Sequence, residues 1–273
     1  MIDIGTYSMD ELLVIAALHL PPFPASGHPE ARSIGEIVEF ALRNTFFAVQ
    51  AGVPALYLQD LGDHPWGKQI QPHTLASMSV VGAEIRREHP ELMLGVCLMG
   101  HGSREPIAIA QALSAQFVRL KVYVGAMVKA EGNLEGCAHE AITYRSASRA
   151  DGIAIFADIY DRTGIPLAGS SLVETARMAV TFGRADGLIL TGGSFTESLS
   201  MLEKVREANF GVPLLLGGGA NQLNIKQALE FADGVIVSSS FKHQSGWTRE
   251  SIFSDWDPEK ISRFMEAVDQ VNR

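Results

Sequence analysis

Two cations and a carboxylate stand near the ends of short aliphatic runs, where they could act on a small ligand. Arg119 and Lys121 lie two residues apart in the run Phe117–Val122, and Asp158 directly follows the run Ile153–Ala157. Residues two apart on a strand point to the same side, so both cations would face one way. Buried cations need partners, and we expect Asp158 to meet them. The three residues indicate either a substrate-binding or catalytic group, or a structural ion-pair layer.

Acid–base chemistry is one use for such side chains. A carboxylate at a strand end, such as Asp158, suits a general base or a metal ligand, although it could also cap a loop. His19 and Asp60 follow two further aliphatic runs, and His19 is either an acid or base or a structural histidine. Asp60 and Asp158 could hold a divalent ion, but no spacing supports this, and the sequence has no zinc pattern such as H-E-x-x-H. We predict no metal site and no cofactor.

Two roles fit Lys121. A neutral amine in this position could attack a carbonyl and form a Schiff base, as lysines do in covalent aldolase-type catalysis. Alternatively, a salt bridge with Asp158 would keep the amine charged and leave it to orient a substrate oxygen. Both roles place Lys121 beside the reacting part of a substrate.

A pattern typical of phosphate binding follows the last two aliphatic runs. Its residues are Gly217, Gly218 and Gly219 after the seventh run, and Ser238, Ser239 and Ser240 after the eighth. Glycines permit close backbone approach, serines add hydroxyl donors, and backbone N–H groups bind a phosphate without net charge. The alternative is a tight turn with capping serines. We expect Thr191 and Gly192, after the sixth run, and Lys242, beyond the eighth, to belong to the same site.

Eight aliphatic runs must position these residues. They are Leu12–Leu18, Ala55–Leu58, Leu92–Leu98, Phe117–Val122, Ile153–Ala157, Leu188–Leu190, Pro213–Leu216 and Val235–Val237. Short runs without polar alternation are typical of buried parallel strands, and amphipathic helical segments separate them. Eight β-then-α units of this total length predict an α/β protein with a (β/α)8 TIM barrel, whose strand ends meet at one mouth. A doubly wound open sheet is the alternative, but no G-x-G-x-x-G follows the first run.

The pattern predicts one domain. We expect a single TIM-barrel domain over residues 1–273, with its strands between about residues 12 and 238. Residues 242–256 would form a long loop after the eighth strand, which could cover the site or an oligomer interface. Asp257 and Pro258 fit an N-cap and first residue of a last helix over residues 257–273.

Composition excludes several classes of protein. There are 22 Lys and Arg against 31 Asp and Glu, and no basic cluster, which argues against nucleic acid as a partner. The two cysteines, Cys97 and Cys137, form no C-x-x-C pair and indicate a reducing, cytoplasmic location. The early apolar run Leu12–Leu18 is far shorter than the roughly 20 residues of a transmembrane helix, so we expect no integral membrane segment. We also expect a homo-oligomer.

Several short motifs occur in a diagnostic order along almost the whole chain. They are His19–Pro24, Phe117–Arg119, Glu131–Gly132, Ile155–Asp158, Ala185–Gly192 and Ser239–Lys242. Together they resemble the BtpA/SgcQ family. The resemblance implies a TIM barrel of the phosphate-binding kind; the founding member is associated with photosystem I biogenesis, and the SgcQ branch with carbohydrate use. The family usually has Asn where Lys121 stands, so a lysine nucleophile would not be a shared mechanism.

Two functions remain open on these grounds. The first is an enzyme that acts on a phosphorylated sugar or similar small metabolite, with lyase, aldolase or isomerase chemistry. The second is a non-catalytic assembly factor of the BtpA type. An enzyme should have a polar mouth that can hold a ligand, whereas an assembly factor should have an exposed apolar patch.

Overall fold

A closed barrel of parallel strands forms the body of the molecule. The computed structural model describes residues 12–167, 169–244, 246 and 248–270. In this part of the chain, eight parallel strands follow chain order around the ring, and the last pairs with the first. The predicted α/β (β/α)8 TIM barrel is therefore confirmed. The prediction of one domain over residues 1–273 extends beyond the described residues at both ends and stays a prediction.

All eight predicted runs form barrel strands, and their bounds differ from the runs by at most two residues. The barrel strands are β1 (Leu13–His19), β2 (Ala55–Gln59), β3 (Met93–Cys97), β4 (Phe117–Leu120), β7 (Ala154–Asp158), β9 (Gly187–Leu190), β10 (Leu214–Leu216) and β11 (Gly234–Val237). The strands outside the barrel are β5 (Ala126–Lys129), β6 (Gly132–Glu135) and β8 (Ile165–Pro166). The helices are α1 (Ile34–Gln50), α2 (Pro72–Glu88), α3 (Arg104–Ala112), α4 (Ala138–Ala147), α5 (Leu172–Thr181), α6 (Phe195–Ala208), α7 (Ile225–Ala228), α8 (Arg249–Ile252) and α9 (Pro258–Asp269).

The last helix begins where its sequence signal predicts. The side chain of Asp257 caps α9 by accepting hydrogen bonds from the backbone N–H groups of Glu259 and Lys260, and Pro258 is the first helical residue. The helix ends at Asp269, and the predicted residues 271–273 lie outside the described residues. None of the helices in the described part of the chain is long and apolar enough to cross a bilayer.

Barrel side chains alternate between two cores, and this alternation positions the polar residues of the mouth. One core lies between the strands and the helices, and the other fills the barrel interior. Phe117 on β4 belongs to the interior core, where its ring centroid lies 5.2 Å from that of Phe156 on β7. The two-residue period therefore brings Arg119 and Lys121 to the interior above Phe117, and Asp158 above Phe156.

A second, small sheet was not predicted from the sequence. The loops after β4 and β7 form an antiparallel sheet in which β5 lies between β6 and β8. Val128 on β5 is the cross-strand partner of Ile165 on β8. The sheet thus links the loops that follow two neighbouring barrel strands, and it carries Lys129 toward the barrel mouth.

The described part of the segment 242–256 packs against the barrel. It contains the short helix α8, and its ends join through an antiparallel bridge between Lys242 and Trp256. Trp256 is buried against Phe241, with ring centroids 5.8 Å apart, and its backbone N–H donates to the side-chain oxygen of Asn44 on α1. Buried aromatic packing thus fixes the end of this segment against the barrel, and the prediction of a long loop over residues 242–256 stays a prediction. Trp247 lies outside the described residues.

Candidate active site

A cavity of about 290 Å³ opens at the carboxyl-terminal ends of the barrel strands. The predicted site residues in its wall are His19, Arg119, Lys121, Asp158, Thr191, Gly217, Gly218, Gly219, Ser238, Ser239 and Ser240. Three predicted residues do not line it, namely Asp60, Gly192 and Lys242. The structure thus gathers both groups inferred from the sequence, the charged residues and the glycine–serine segments, around one space.

An ion pair between Arg119 and Asp158 occupies the floor of the cavity. The guanidinium Nε and Nη2 donate to the two carboxylate oxygens of Asp158, each at 3.0 Å, and Nη1 donates to the Tyr57 hydroxyl at 2.8 Å. Burial raises the pKa of Asp158, and the Arg119 guanidinium opposes that rise. The expected contact between the strand-four cations and Asp158 is thus made by Arg119, in the bidentate geometry that suits arginine.

Lys121 meets a different carboxylate from the one expected. Its Nζ lies 3.4 Å from Oδ2 of Asp161 and 3.2 Å from the sulfur of Met99. The same Asp161 oxygen accepts a hydrogen bond from Lys129, on β5, at 2.5 Å. Although burial alone would raise it, Lys121 and Lys129 hold the pKa of Asp161 well below its usual range. The expectation that Lys121 faces Asp158 is therefore corrected, because the small sheet brings a second lysine and fixes Asp161 between the two.

His19 contacts two groups that follow β11. The Nζ of Lys242 lies 3.2 Å from His19 Nδ1, and the Ser238 hydroxyl lies 3.4 Å from the same nitrogen. Burial, followed by the charge of Lys242, holds the pKa of His19 well below its usual value. An ammonium can only donate, so Nδ1 accepts its hydrogen bond and the proton of the neutral ring resides on Nε2. His19 is thus held as a neutral imidazole of one tautomer.

Lys242 is a buried amine behind the cavity wall. Besides contacting His19, its Nζ donates to the backbone oxygen of Ile252 at 2.6 Å, and no carboxylate pairs with it in the part of the chain that the structure describes. Burial lowers the pKa of Lys242 to about 8. The α8 segment, through Ile252, therefore holds this lysine against the histidine of the mouth.

The segments after β10 and β11 present unused backbone donors to the cavity. Within the described ranges, the N–H groups of Gly218, Gly219, Ser239 and Ser240 have no acceptor in the protein. The Thr191 hydroxyl is buried and also lacks a partner there. Gly218 and Ser240 are partly buried, and Gly219 and Ser239 are exposed. These N–H groups therefore face the open cavity, where a ligand can accept their hydrogen bonds.

Glycine is required at two of these positions for different reasons. A Cβ at Gly217 would lie 1.8 Å from the Thr191 hydroxyl oxygen, so no larger residue fits there. Gly219 has a φ of +87°, in the region that L-residues rarely adopt. At Gly218, in contrast, a Cβ would meet no atom within 4 Å. The backbone is therefore shaped to pass close to the cavity, with open space at Gly218.

Asp60 lies apart from the cavity wall. Its carboxylate accepts a hydrogen bond from the backbone N–H of Met99 at 2.7 Å, and burial raises its pKa to about 7. In the described residues, no group of three His, Cys, Asp or Glu side chains is arranged to hold a metal ion. The placement leaves Asp60 bracing the loop after β3, while its predicted catalytic role stays a prediction.

Several residues of the cavity wall were not predicted as site residues from the sequence. They are Tyr57, Gln59, Trp66, Met99, Asp161 and Arg162. Tyr57 and Gln59 could have been found from the two-residue period of β2, because residues two apart on a strand point to the same side. No periodic signal exists for Trp66 or Arg162, because both belong to loops.

The fold and this mouth define a (β/α)8 barrel protein with a polar ligand cavity that contains both cations and carboxylates. The sequence model of the BtpA family matches residues 10–270, and the chain belongs to that family. A photosystem I biogenesis protein BtpA of Synechocystis is 31% identical over 93% of this chain and 87% of its own. A mitochondrial protein of Caenorhabditis elegans is 29% identical over 96% of this chain and 94% of its own.

Solved structures of similar fold are TIM-barrel enzymes with little sequence similarity. The 3-keto-L-gulonate-6-phosphate decarboxylase of Vibrio cholerae superposes with a TM-score of 0.57 at 12% identity, covering 96% of this chain and 99% of that one. The phosphoribosyl anthranilate isomerase of Thermus thermophilus gives 0.56 at 12% identity, covering 95% and 100%. At such identity the likeness establishes the shared fold.

The buried amine of Lys242 predicts a measurable pH dependence of stability. Because its pKa is about 8 in the folded protein, the unfolded chain binds more protons at this residue between about pH 8 and 10.5. Stability from this group therefore rises with pH through that window. Chemical unfolding should show the stability of wild type, relative to Lys242→Met, increasing by on the order of 2 kcal/mol from about pH 8 to 10.

The matched control is Lys204→Met, which removes an exposed lysine of α6. The difference in unfolding free energy between Lys204→Met and wild type should change by less than about 0.5 kcal/mol over the same pH range. If the stability difference between wild type and Lys242→Met does not change with pH, the amine of Lys242 is not buried as described.

Proposed function

We propose that this protein is an enzyme that acts on a phosphorylated sugar or a similar small phosphorylated metabolite. The observation that carries the proposal is the set of unused donors at the cavity, the backbone N–H groups of Gly218, Gly219, Ser239 and Ser240. A phosphate group accepts several hydrogen bonds at once, and barrels often bind it between their last two strand ends.

Charge in the cavity supports an anionic ligand. The whole chain carries a net charge of −9, yet the cavity wall contains three cations, Arg119, Lys121 and Arg162, against the carboxylates of Asp158 and Asp161. His19 is held neutral and adds no charge. An acidic protein with a cationic cavity attracts an anion to that cavity while the remaining surface repels it.

The same wall holds groups for lyase, aldolase or isomerase chemistry. These reactions move a proton beside a carbonyl and develop negative charge on its oxygen, which Arg119 or Lys121 could stabilise. Asp158 keeps a second lone pair on each oxygen beyond those used by Arg119, so it can accept a proton. The Schiff-base role of Lys121 stays an alternative, and its contact with Asp161 favours the charged, orienting role.

The names of similar proteins point in two directions. The decarboxylase and isomerase of similar fold are named for phosphorylated substrates, which agrees with a phosphometabolite. The Synechocystis relative is named for photosystem I biogenesis, which agrees with the alternative of a non-catalytic assembly factor. Cytoplasmic location, homo-oligomerisation and the absence of nucleic acid as a partner stay predictions.

An assembly role would require an exposed apolar surface. Val128, Ile165 and Leu167 are exposed and form a small apolar group on one face of the β5–β8 pair. Such small groups are common on monomeric proteins. The polar mouth, with its unused donors, is the more specific feature, and we therefore favour the enzyme.

Two substitutions at Gly218 test the phosphate site. Gly218→Ala adds a Cβ into open space and should keep the affinity for glucose 6-phosphate within about 3-fold of wild type. Gly218→Asp adds a carboxylate beside the phosphate and should lower the affinity by about 10-fold or more. Isothermal calorimetry makes the comparison. Equal affinity of all three proteins would place the binding elsewhere.

Asp158→Asn tests the catalytic part of the proposal. A thermal-shift screen of phosphorylated sugars supplies the substrate, and kcat should then fall by about 10²-fold, the scale of a lost general base. Circular dichroism and retained glucose 6-phosphate binding would establish that the variant is folded. The exposed Glu39→Gln on α1 is the control. Full turnover by folded Asp158→Asn would exclude Asp158 from the chemistry.

A further inference from the structure

Two different surfaces for anions face each other across the mouth. The backbone donors follow β10 and β11, whereas Arg119 and Lys121 lie at the end of β4. In a ring of eight strands that follows chain order, β4 and β11 are four places apart and therefore diametrically opposite. A ligand that fills the mouth has one end at each surface.

The two surfaces differ in how they attract an anion. The cavity wall contains no charged side chain from Gly217 to Ala220 or from Ser238 to Ser240, so a phosphate there contacts dipoles, and the Lys242 ammonium lies behind this wall against His19. The opposite wall carries Arg119 and Lys121, and with Lys129 on the same Asp161 carboxylate these three cations face only two carboxylates, Asp158 and Asp161. A phosphate bound on the dipole side of the mouth does not neutralise the excess positive charge of the opposite wall.

Lys121 has the weakest polar contacts of the ion-paired groups in this wall. Its acceptors are the Met99 sulfur at 3.2 Å, a weak acceptor, and Asp161 Oδ2 at 3.4 Å. That carboxylate is already used: Lys129 donates to the same oxygen at 2.5 Å, and Thr163 donates to the other through its N–H at 3.0 Å and its hydroxyl at 2.8 Å. An ammonium has three donors, and two acceptors are in place, so Lys121 keeps one donor for a ligand at a site where only 10% of its side chain is exposed.

We propose that the ligand carries a carboxylate at the end opposite its phosphate and that Lys121 binds this carboxylate. The substrate class is then a phosphorylated sugar acid. A hydroxyl in the same place would accept a hydrogen bond from Lys121 but would not neutralise the excess positive charge. A carboxylate does both, because it accepts a charge-assisted hydrogen bond and carries a negative charge. This inference rests on the proposed function, because phosphate binding by the opposite surface sets the direction of the ligand.

The test compares two probes that differ only at the end opposite the phosphate. These are 6-phosphogluconate, which has a carboxylate, and sorbitol 6-phosphate, which has a hydroxymethyl group there. Calorimetry on wild type should give about 10-fold or greater preference for 6-phosphogluconate. In Lys121→Met the preference should fall to about 2-fold or less, because 6-phosphogluconate loses a charge-assisted ion pair whereas sorbitol 6-phosphate loses only a hydrogen bond from its neutral hydroxyl. The exposed Lys204→Met should retain the full preference.

The outcomes separate this inference from the proposed function. If wild type binds both probes equally, or if Lys121→Met keeps the preference, the second anionic subsite is wrong while the phosphate site stands. If neither probe binds wild type, the proposed function fails and this inference fails with it. A folded Lys121→Met protein is established by its retained binding of sorbitol 6-phosphate, and loss of binding of both probes to that variant would contradict a role confined to the carboxylate.

Discussion

The alternation of side chains along buried parallel strands is the constraint on which the site depends. Inside a closed barrel, every second residue must point to the axis. The aromatic pair Phe117 and Phe156 fills the interior, and the next inward positions of the same strands are Arg119 and Asp158. A change of one residue in register would turn these charges toward the helices, where they would lie unpaired in an apolar layer. The ion pair therefore follows from the packing below it.

Charge above that floor is arranged by the loops. Lys129 comes from the small antiparallel sheet and Asp161 from the loop after β7, so the carboxylate that contacts Lys121 depends on two segments outside the barrel. On the opposite side, the Lys242–Trp256 bridge and the packing of Trp256 hold Lys242 against His19. The barrel strands position the functional side chains, and the loops after these strands determine the charged and hydrogen-bonding neighbours of each side chain. This division explains how one fold accommodates many chemistries.

The sequence predicts the barrel well because its signals are local. Short aliphatic runs identify all eight strands, and the glycine and serine segments after the last two lie at the cavity as expected. The small sheet escapes prediction because its strands have four residues or fewer, and β8 pairs with β5 from a distant part of the chain. The partner of Lys121 escapes for the same reason, since Asp161 and Lys129 meet through loops that no periodicity describes. Trp66 and Arg162 are loop residues of the same kind.

In the function that we propose, the segments after β10 and β11 hold the phosphate of a small metabolite whose other end reaches the cations of β4. A crystal structure of the protein with 6-phosphogluconate at saturating concentration measures this directly. We expect phosphate density within hydrogen-bond distance of the N–H groups of Gly218 and Ser239, with the carboxylate at Lys121. Density for the probe elsewhere on the protein, with these N–H groups left without a ligand, would contradict it.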